Sequence, residues 1–264
     1  MESAADMLAA LRLQIEWGAD EALEEAPVDR LVLRAPAPAP QPIAPPPAAA
    51  APPRRAAPVL LAAPAQRAQE LAMAADTLEA LRAAMAGFDG CPLAATATKL
   101  VFADGNPASR LMLIGEAPGA EEDRTGLPFV GPAGQLLDRM LASIGLDRTQ
   151  YYITNILPWR PPGNRNPTDA EILTCLPFLH RHIALVRPRQ LLLLGKIATT
   201  ALTGTSTGIL KMRGKTTLVS LPGDTVPIPA LPTLHPSYLL RTPGAKRDAW
   251  ADLLLLRRTI DQLS

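Results

Sequence analysis

Two short, continuous apolar runs, residues 111–115 and 191–194, limit what this chain can fold into, and residues 151–157 and 231–234 read as two further strands. A strand with one wet face alternates apolar and polar residues, so an unbroken run points to burial on both faces. The segments between the runs carry helical periodicity instead. Leu136, Leu137, Met140, Leu141 and Ile144 form one stripe that stops at Gly145. Thr168-Asp-Ala-Glu171 is a capping box opening a helix through Val186, with Ile172, Cys175, Leu176, Leu179 and Ile183 facing inward. Further helices are expected over residues 70–87, 197–202 and 246–260. This alternation predicts a three-layer α/β/α domain around a central four-stranded parallel sheet.

That domain is expected to span residues 67–264, because the chain before it has a different character. Residues 35–64 hold 11 prolines and 12 alanines. Such a segment has little apolar bulk to bury and cannot continue a helix, so 31–66 read as an extended, disordered linker. Ahead of it, Leu8, Leu11 and Ile15 suggest a short helix within residues 1–30, followed by an acidic stretch. Residues 1–85 carry 7 Lys/Arg against 11 Asp/Glu, and residues 86–264 carry 19 against 14. A mildly basic body behind an acidic arm fits a protein that meets a polyanion.

Some classes fall away. Two cysteines, Cys91 and Cys175, cannot supply a disulfide framework or a zinc finger. Glu2 and Asp6 do not suit a signal peptide, and no run approaches the roughly 18 apolar residues of a membrane span. A cytoplasmic protein is therefore expected.

In a parallel α/β sheet the ligand site lies at the carboxyl ends of the strands. Those ends carry Gly115-Glu116-Ala117-Pro118-Gly119, Thr154-Asn155 leading into 160–167, Gly195-Lys196, and the stretch from His235 to Arg241. The first segment is not a phosphate cradle: it matches neither dinucleotide nor P-loop spacing, and Pro118 removes a donor. Glu116 is either a helix-capping or ion-paired carboxylate, or a fixed negative charge in a cleft. His235 is either a satisfied structural residue or a site residue in a turn with Ser237. Phe129, set between glycines in a long connection, is either a local anchor or a stacking platform.

Taken together and in order, Gly115-Glu-Ala-Pro-Gly119, Gly126-Leu-Pro-Phe-Val-Gly131, Ala133-Gly-Gln-Leu-Leu-Asp138, Tyr152-Ile-Thr-Asn155, Arg160-Pro-Pro-Gly-Asn-Arg-Asn-Pro-Thr168 and His235-Pro-Ser237 closely resemble the family 4 uracil-DNA glycosylases. The resemblance runs from about Cys91 to Trp250. It implies a monofunctional DNA N-glycosylase of base excision repair, monomeric and associated with the bacterial nucleoid, which flips deoxyuridine out of DNA and leaves an abasic site. A repair or replication partner is then expected for the acidic N-terminal arm.

The same resemblance implies roles. Gly115, Ala117, Phe129 and Asn155 would bind uracil, with Phe129 stacking on the base. Asn155 would match O4 and N3–H, where cytosine presents the opposite pattern. Glu116 and His235 would be catalytic, at the sugar and at uracil O2. DNA contacts would come from Ser237, Tyr238, Leu239, Leu240 and Arg241, with Leu239 or Leu240 as a wedge, and from Arg160, Asn164 and Arg165.

The chain departs from the family at its iron–sulfur cluster, which is held by four cysteines. Here the four positions read Phe88, Cys91, Trp159 and Cys175. Two thiolates do not hold such a cluster, so no cofactor and no metal are expected, with the two rings filling the vacated volume. The alternative function is a uracil-DNA binding or covalently trapping protein without turnover. The relative that traps carries a histidine in an inserted loop, and residues 161–167 have neither histidine nor insertion.

Overall fold

A computed structural model describes residues 63–263. The expected N-terminal helix and most of the expected linker lie outside these residues. The last four residues assigned to the linker belong instead to a helix.

The chain runs α1 (Ala63–Ala74), α2 (Leu78–Ala86), α3 (Pro92–Thr96), β1 (Asp104–Gly105), β2 (Leu111–Gly115), α4 (Ala120–Thr125), α5 (Pro132–Ala142) and β3 (Tyr152–Asn155). A 3-10 turn (Pro162–Asn164) leads to α6 (Asp169–Val186), β4 (Gln190–Leu194), α7 (Gly195–Thr203), α8 (Ile209–Met212) and β5 (Thr217–Val219). β6 (Ile228–Thr233), α9 (Pro236–Arg241) and α10 (Lys246–Leu263) complete it.

The sheet has six strands rather than four, in the order β1-β3-β2-β4-β6-β5. The four expected strands form its parallel centre, and two short antiparallel strands close the edges. The expected helix over 70–87 is two helices. Thr77 breaks it by taking an extended backbone and accepting a hydrogen bond from the Ala80 amide, a cap that starts α2.

Strand alternation explains why both faces are dry. Met112, Ile114, Leu191 and Leu193 point into a core shared with α1, α2, α6 and α7. Leu111, Leu113, Leu192 and Leu194 point the other way, onto Leu137 and Leu141 of α5 and Leu253 and Leu256 of α10. From β2 the chain moves to β3 on one side, then returns through α6 to β4 on the other. The order therefore reverses at β2, and the crevice that such a reversal opens lies at its carboxyl end.

α10 is locked to the sheet through a buried carboxylate. Asp252, 1% exposed, accepts two hydrogen bonds from Arg213 (3.0 and 2.6 Å) and one from the Thr233 hydroxyl (2.7 Å). Removing one partner of a buried pair strands the other charge, which typically costs about 3–5 kcal/mol. Asp252→Ala is therefore expected to lower the unfolding free energy by about that amount, measured by urea denaturation. A loss within the range of a surface substitution would contradict this account of how α10 docks.

Candidate active site

The carboxyl end of β2 has no side chain. A Cβ built on Gly115 would collide with Asn155 Oδ1 and with the Phe129 ring. Parallel register places Gly115 beside Asn155, so both positions look toward the same face. The space left there belongs to a cavity of about 320 Å³, lined among others by Glu116, Ala117, Phe129, Asn155, His235, Ser237 and Arg241.

Each wall has a local cause. Glu116 follows β2 directly, and its carbonyl accepts from the Leu157 amide (3.1 Å), continuing the β2–β3 ladder beyond the strands. Asn155 ends β3 and is 5% exposed, yet its Oδ1 has no hydrogen-bond partner. Buried polar atoms are almost always paired, so an orphan acceptor aimed into a cavity marks the place of a missing donor. Phe129, also 5% exposed, lies in the left-handed region at φ 56°. Its ring centroid is 5.9 Å from that of His235, so two rings share one wall.

His235 ends the segment after β6, and Gly195 at the end of β4 allows its approach: a Cβ there would lie 2.9 Å from His235 Cβ. The Ser237 backbone N–H donates to His235 Nδ1 (3.1 Å). Nδ1 is thus an acceptor, and the single proton of the neutral ring sits on Nε2. Burial, reinforced by the nearby Arg241 charge, holds the His235 pKa down to about 4. Burial pushes the Glu116 carboxyl up from the ordinary carboxylate range, and Arg241 partly offsets this. The cavity therefore offers a flat aromatic wall, an unsatisfied amide, a neutral N–H donor and a carboxylate of raised proton affinity. That set can hold a planar, hydrogen-bonding base and stabilise opposite charges on either side of a breaking bond.

The remaining expected contacts divide. Asn164 and Arg165 also line the cavity. Arg165 is paired with Glu171 through two hydrogen bonds (3.0 and 2.6 Å), and Arg160 donates to Asn164 (2.7 Å), so both cations are engaged within their own loop. Of the two wedge candidates, Leu239 is fully buried with Leu136, Leu234 and Ala249, while Leu240 is 42% exposed. Leu239 as a DNA contact is accordingly corrected: α9 turns it inward, one position from the side chain it presents. Tyr238 is half-buried against the same cluster. Two residues in the site's support carry no sequence motif of their own, Glu122 and Arg148. The capping-box position of Glu122, three residues after Gly119, is the only local sign of its role.

Comparison with known proteins gives this arrangement a context. Residues 102–254 match the model of the uracil DNA glycosylase superfamily. The chain is 35% identical over 187 residues to the type-4 uracil-DNA glycosylase of Sulfurisphaera tokodaii, covering 69% of this chain and 84% of that one. It is 42% identical over 152 residues to the type-4 enzyme of Thermotoga maritima, covering 57% and 77%. A type-5 uracil-DNA glycosylase of Pyrobaculum aerophilum is 33% identical over 153 residues, covering 51% and 64%.

The four positions assigned to cluster cysteines do come together, but as a core. Cys91 and Cys175 are free thiols with sulfurs 3.9 Å apart. Phe88 and Trp159 are buried, their rings stacked with centroids 6.5 Å apart, and Phe88 meets Phe178 edge-on at 5.1 Å. Arg67 covers the Phe88 ring at 5.8 Å, and a Cβ on Gly90 would strike that ring. Two thiols and two aromatic rings are not the donor set of a four-cysteine cluster. Deleting a large buried ring costs about 3–5 kcal/mol. Trp159→Ala is expected to destabilise the protein by about that amount in chemical denaturation. A value near zero would mean that Trp159 does not hold this corner.

Proposed function

The chain belongs to the uracil DNA glycosylase superfamily, and from that premise we propose that it flips deoxyuridine out of DNA and hydrolyses its N-glycosidic bond. The observation that carries the reading is the orphan Oδ1 of buried Asn155 facing the cavity. Uracil N3–H supplies the missing donor, and the Asn155 amide N–H then meets O4. Cytosine presents an acceptor and a donor in reversed places. A mismatch leaves buried groups unpaired, at about 1–3 kcal/mol each. Phe129 stacks on the base, in the space that the missing Gly115 side chain leaves open.

Bond cleavage sends the C1′–N1 electron pair into the uracil ring and leaves the sugar cationic. His235 Nε2–H donates to O2, where the negative charge gathers, as an oxyanion-hole donor does. A neutral imidazole suits this role, because it donates without protonating the leaving group outright. Glu116 faces the sugar, stabilises its positive charge and takes a proton from the attacking water as the new C1′–O bond forms. None of the described residues lining the cavity is a lysine. The nucleophile is therefore water rather than an amine, which supports a monofunctional enzyme. The aromatic packing at Phe88 and Trp159 supports a protein that works without an iron–sulfur cluster. Base extrusion costs a few kcal/mol. Leu240 is placed to offset it as a wedge in the vacated stack, with Arg241 on a phosphate.

Wild-type protein is expected to release free uracil from uracil-containing oligonucleotides and not from cytosine- or thymine-containing ones. Retention of the oligonucleotide on the protein without free base would favour the trapping alternative. Glu116 must be ionised to act as a base, so the rate should fall as pH drops through an apparent pKa above the ordinary carboxylate range. His235, at about 4, adds to the loss only below that. Glu116→Gln should cost roughly 10²–10⁴-fold in kcat and abolish this acid limb. An unchanged limb would assign it to another group. Leu240→Ala should lower excision from duplex DNA more than from single strands, and equal losses would remove Leu240 as the wedge.

A further inference from the structure

We infer that Arg148 and Glu122 are positioning residues that fix the uracil-stacking ring of Phe129 by gripping opposite ends of one peptide unit. The inference rests on the reading of Phe129 as the stacking wall and deepens it. An aromatic residue at φ 56° is held where its backbone prefers not to be. Some part of the structure must over-determine that conformation.

Arg148 lies in the turn between α5 and β3. Its Nε and Nη2 donate to Asp138 (3.0 and 3.3 Å), and its Nη1 donates to Asp104 (2.7 Å). With both forks oriented by these carboxylates, Nη1 also donates to the Pro128 carbonyl (3.2 Å) and Nη2 to the Phe129 carbonyl (2.6 Å). Asp138 is held in turn by the Tyr151 hydroxyl (3.0 Å). On the other side Glu122 Oε1 accepts from the Val130 amide (2.9 Å) and the Gly131 amide (2.8 Å). Its Oε2 accepts from the Gly119 amide (3.0 Å), tying the Glu116 segment to the same carboxylate.

Four backbone groups in succession are thereby fixed: the carbonyls of 128 and 129 by a cation, the amides of 130 and 131 by an anion. The Phe129 carbonyl and the Val130 amide are the two ends of one peptide plane. Its dipole lies along the line from guanidinium to carboxylate, so rotating that plane would break a charged hydrogen bond at each end. This sets the backbone torsions on either side of the plane, and with them where the ring stands. Gly134 completes the vice, since a Cβ there would collide with the Phe129 carbonyl. Arg148 does not line the cavity. Its effect on chemistry must pass through Phe129.

The test compares Arg148→Met and Arg148→Lys, each in wild-type and Phe129→Ala backgrounds, by kcat and KM for uracil release from a single-stranded oligonucleotide. In the wild-type background Arg148→Met should lose roughly 10²-fold in kcat/KM, the effect of displacing a bound group by about 1 Å. Lysine keeps the charge without the fork and should recover only part of the loss, and it carries the comparison if the methionine variant does not fold. In the Phe129→Ala background either substitution should cost less than about twofold. Equal fold-losses in both backgrounds would overturn the inference. Amide exchange at Val130 and Gly131 gives a readout independent of catalysis. It should quicken in the Arg148 variants, and unchanged exchange would also overturn the inference. A wild type that releases no uracil would defeat the functional reading alone.

Discussion

The active-site architecture depends on one absence, the missing side chain at Gly115. β2 is the central strand on which the sheet order reverses, so its carboxyl end is where the chain must diverge to both sides. Any Cβ there would occupy the space between Asn155 and Phe129. The neighbouring walls are built around that gap. Register brings Asn155 alongside, and Gly195 at the end of β4 clears a path for His235. Parallel strands of unequal neighbours thus deliver an amide, a carboxylate and an imidazole to one end of the sheet. Only the aromatic wall arrives by a different route, through a loop that needs its own fixation.

This difference explains what was legible in the sequence. Strands buried on both faces are rich in apolar residues, unbroken at 111–115 and 191–194, so β2 and β4 could be read directly. β3 and the second half of β6 carry Thr154, Asn155 and Thr233 within an apolar context. β1 and β5 could not be read: one is two residues long, and the other exposes Leu218. The first half of β6 was hidden by Pro229, a residue that argues against a paired strand. Glu116 and His235 stood out because they follow strands and Asn155 because it ends one, but position left their roles open and only the family resemblance implied them. Arg148 was not, since its partners Asp104, Pro128, Phe129 and Asp138 lie far from it along the chain and meet only in the fold. The choice between Leu239 and Leu240 was also closed to sequence, because both are apolar and only the direction of α9 separates them.

The Trp159 loop is held by many weak contacts rather than by one strong one. A metal cluster fixes loops through strong bonds at a few points. Here fixation is spread over ring stacking at Phe88 and Trp159, over the capping box of α6, and over Glu171. The Arg165 guanidinium beside Glu171 holds that carboxyl down to about 2, helped by the Thr168 amide (2.8 Å). Because the folded value lies below the unfolded one, this contribution is complete above the usual carboxylate range and fades only as pH falls toward about 2. Arg165 is thus the loop's anchor first, and any contact it makes with DNA must be made by a guanidinium already bound to Glu171.

Glu116 and His235 also show how one cation can serve two groups. Burial pushes the carboxyl up and the imidazole down, so it favours the uncharged form of each. Arg241 acts against burial at Glu116 and with it at His235. The arginine therefore favours the ionised base and the neutral donor together, which is the pair of states that the chemistry requires. Arg241 is itself exposed, at the rim. Neutralising it there would withdraw support from the ionised carboxylate and from the neutral imidazole alike.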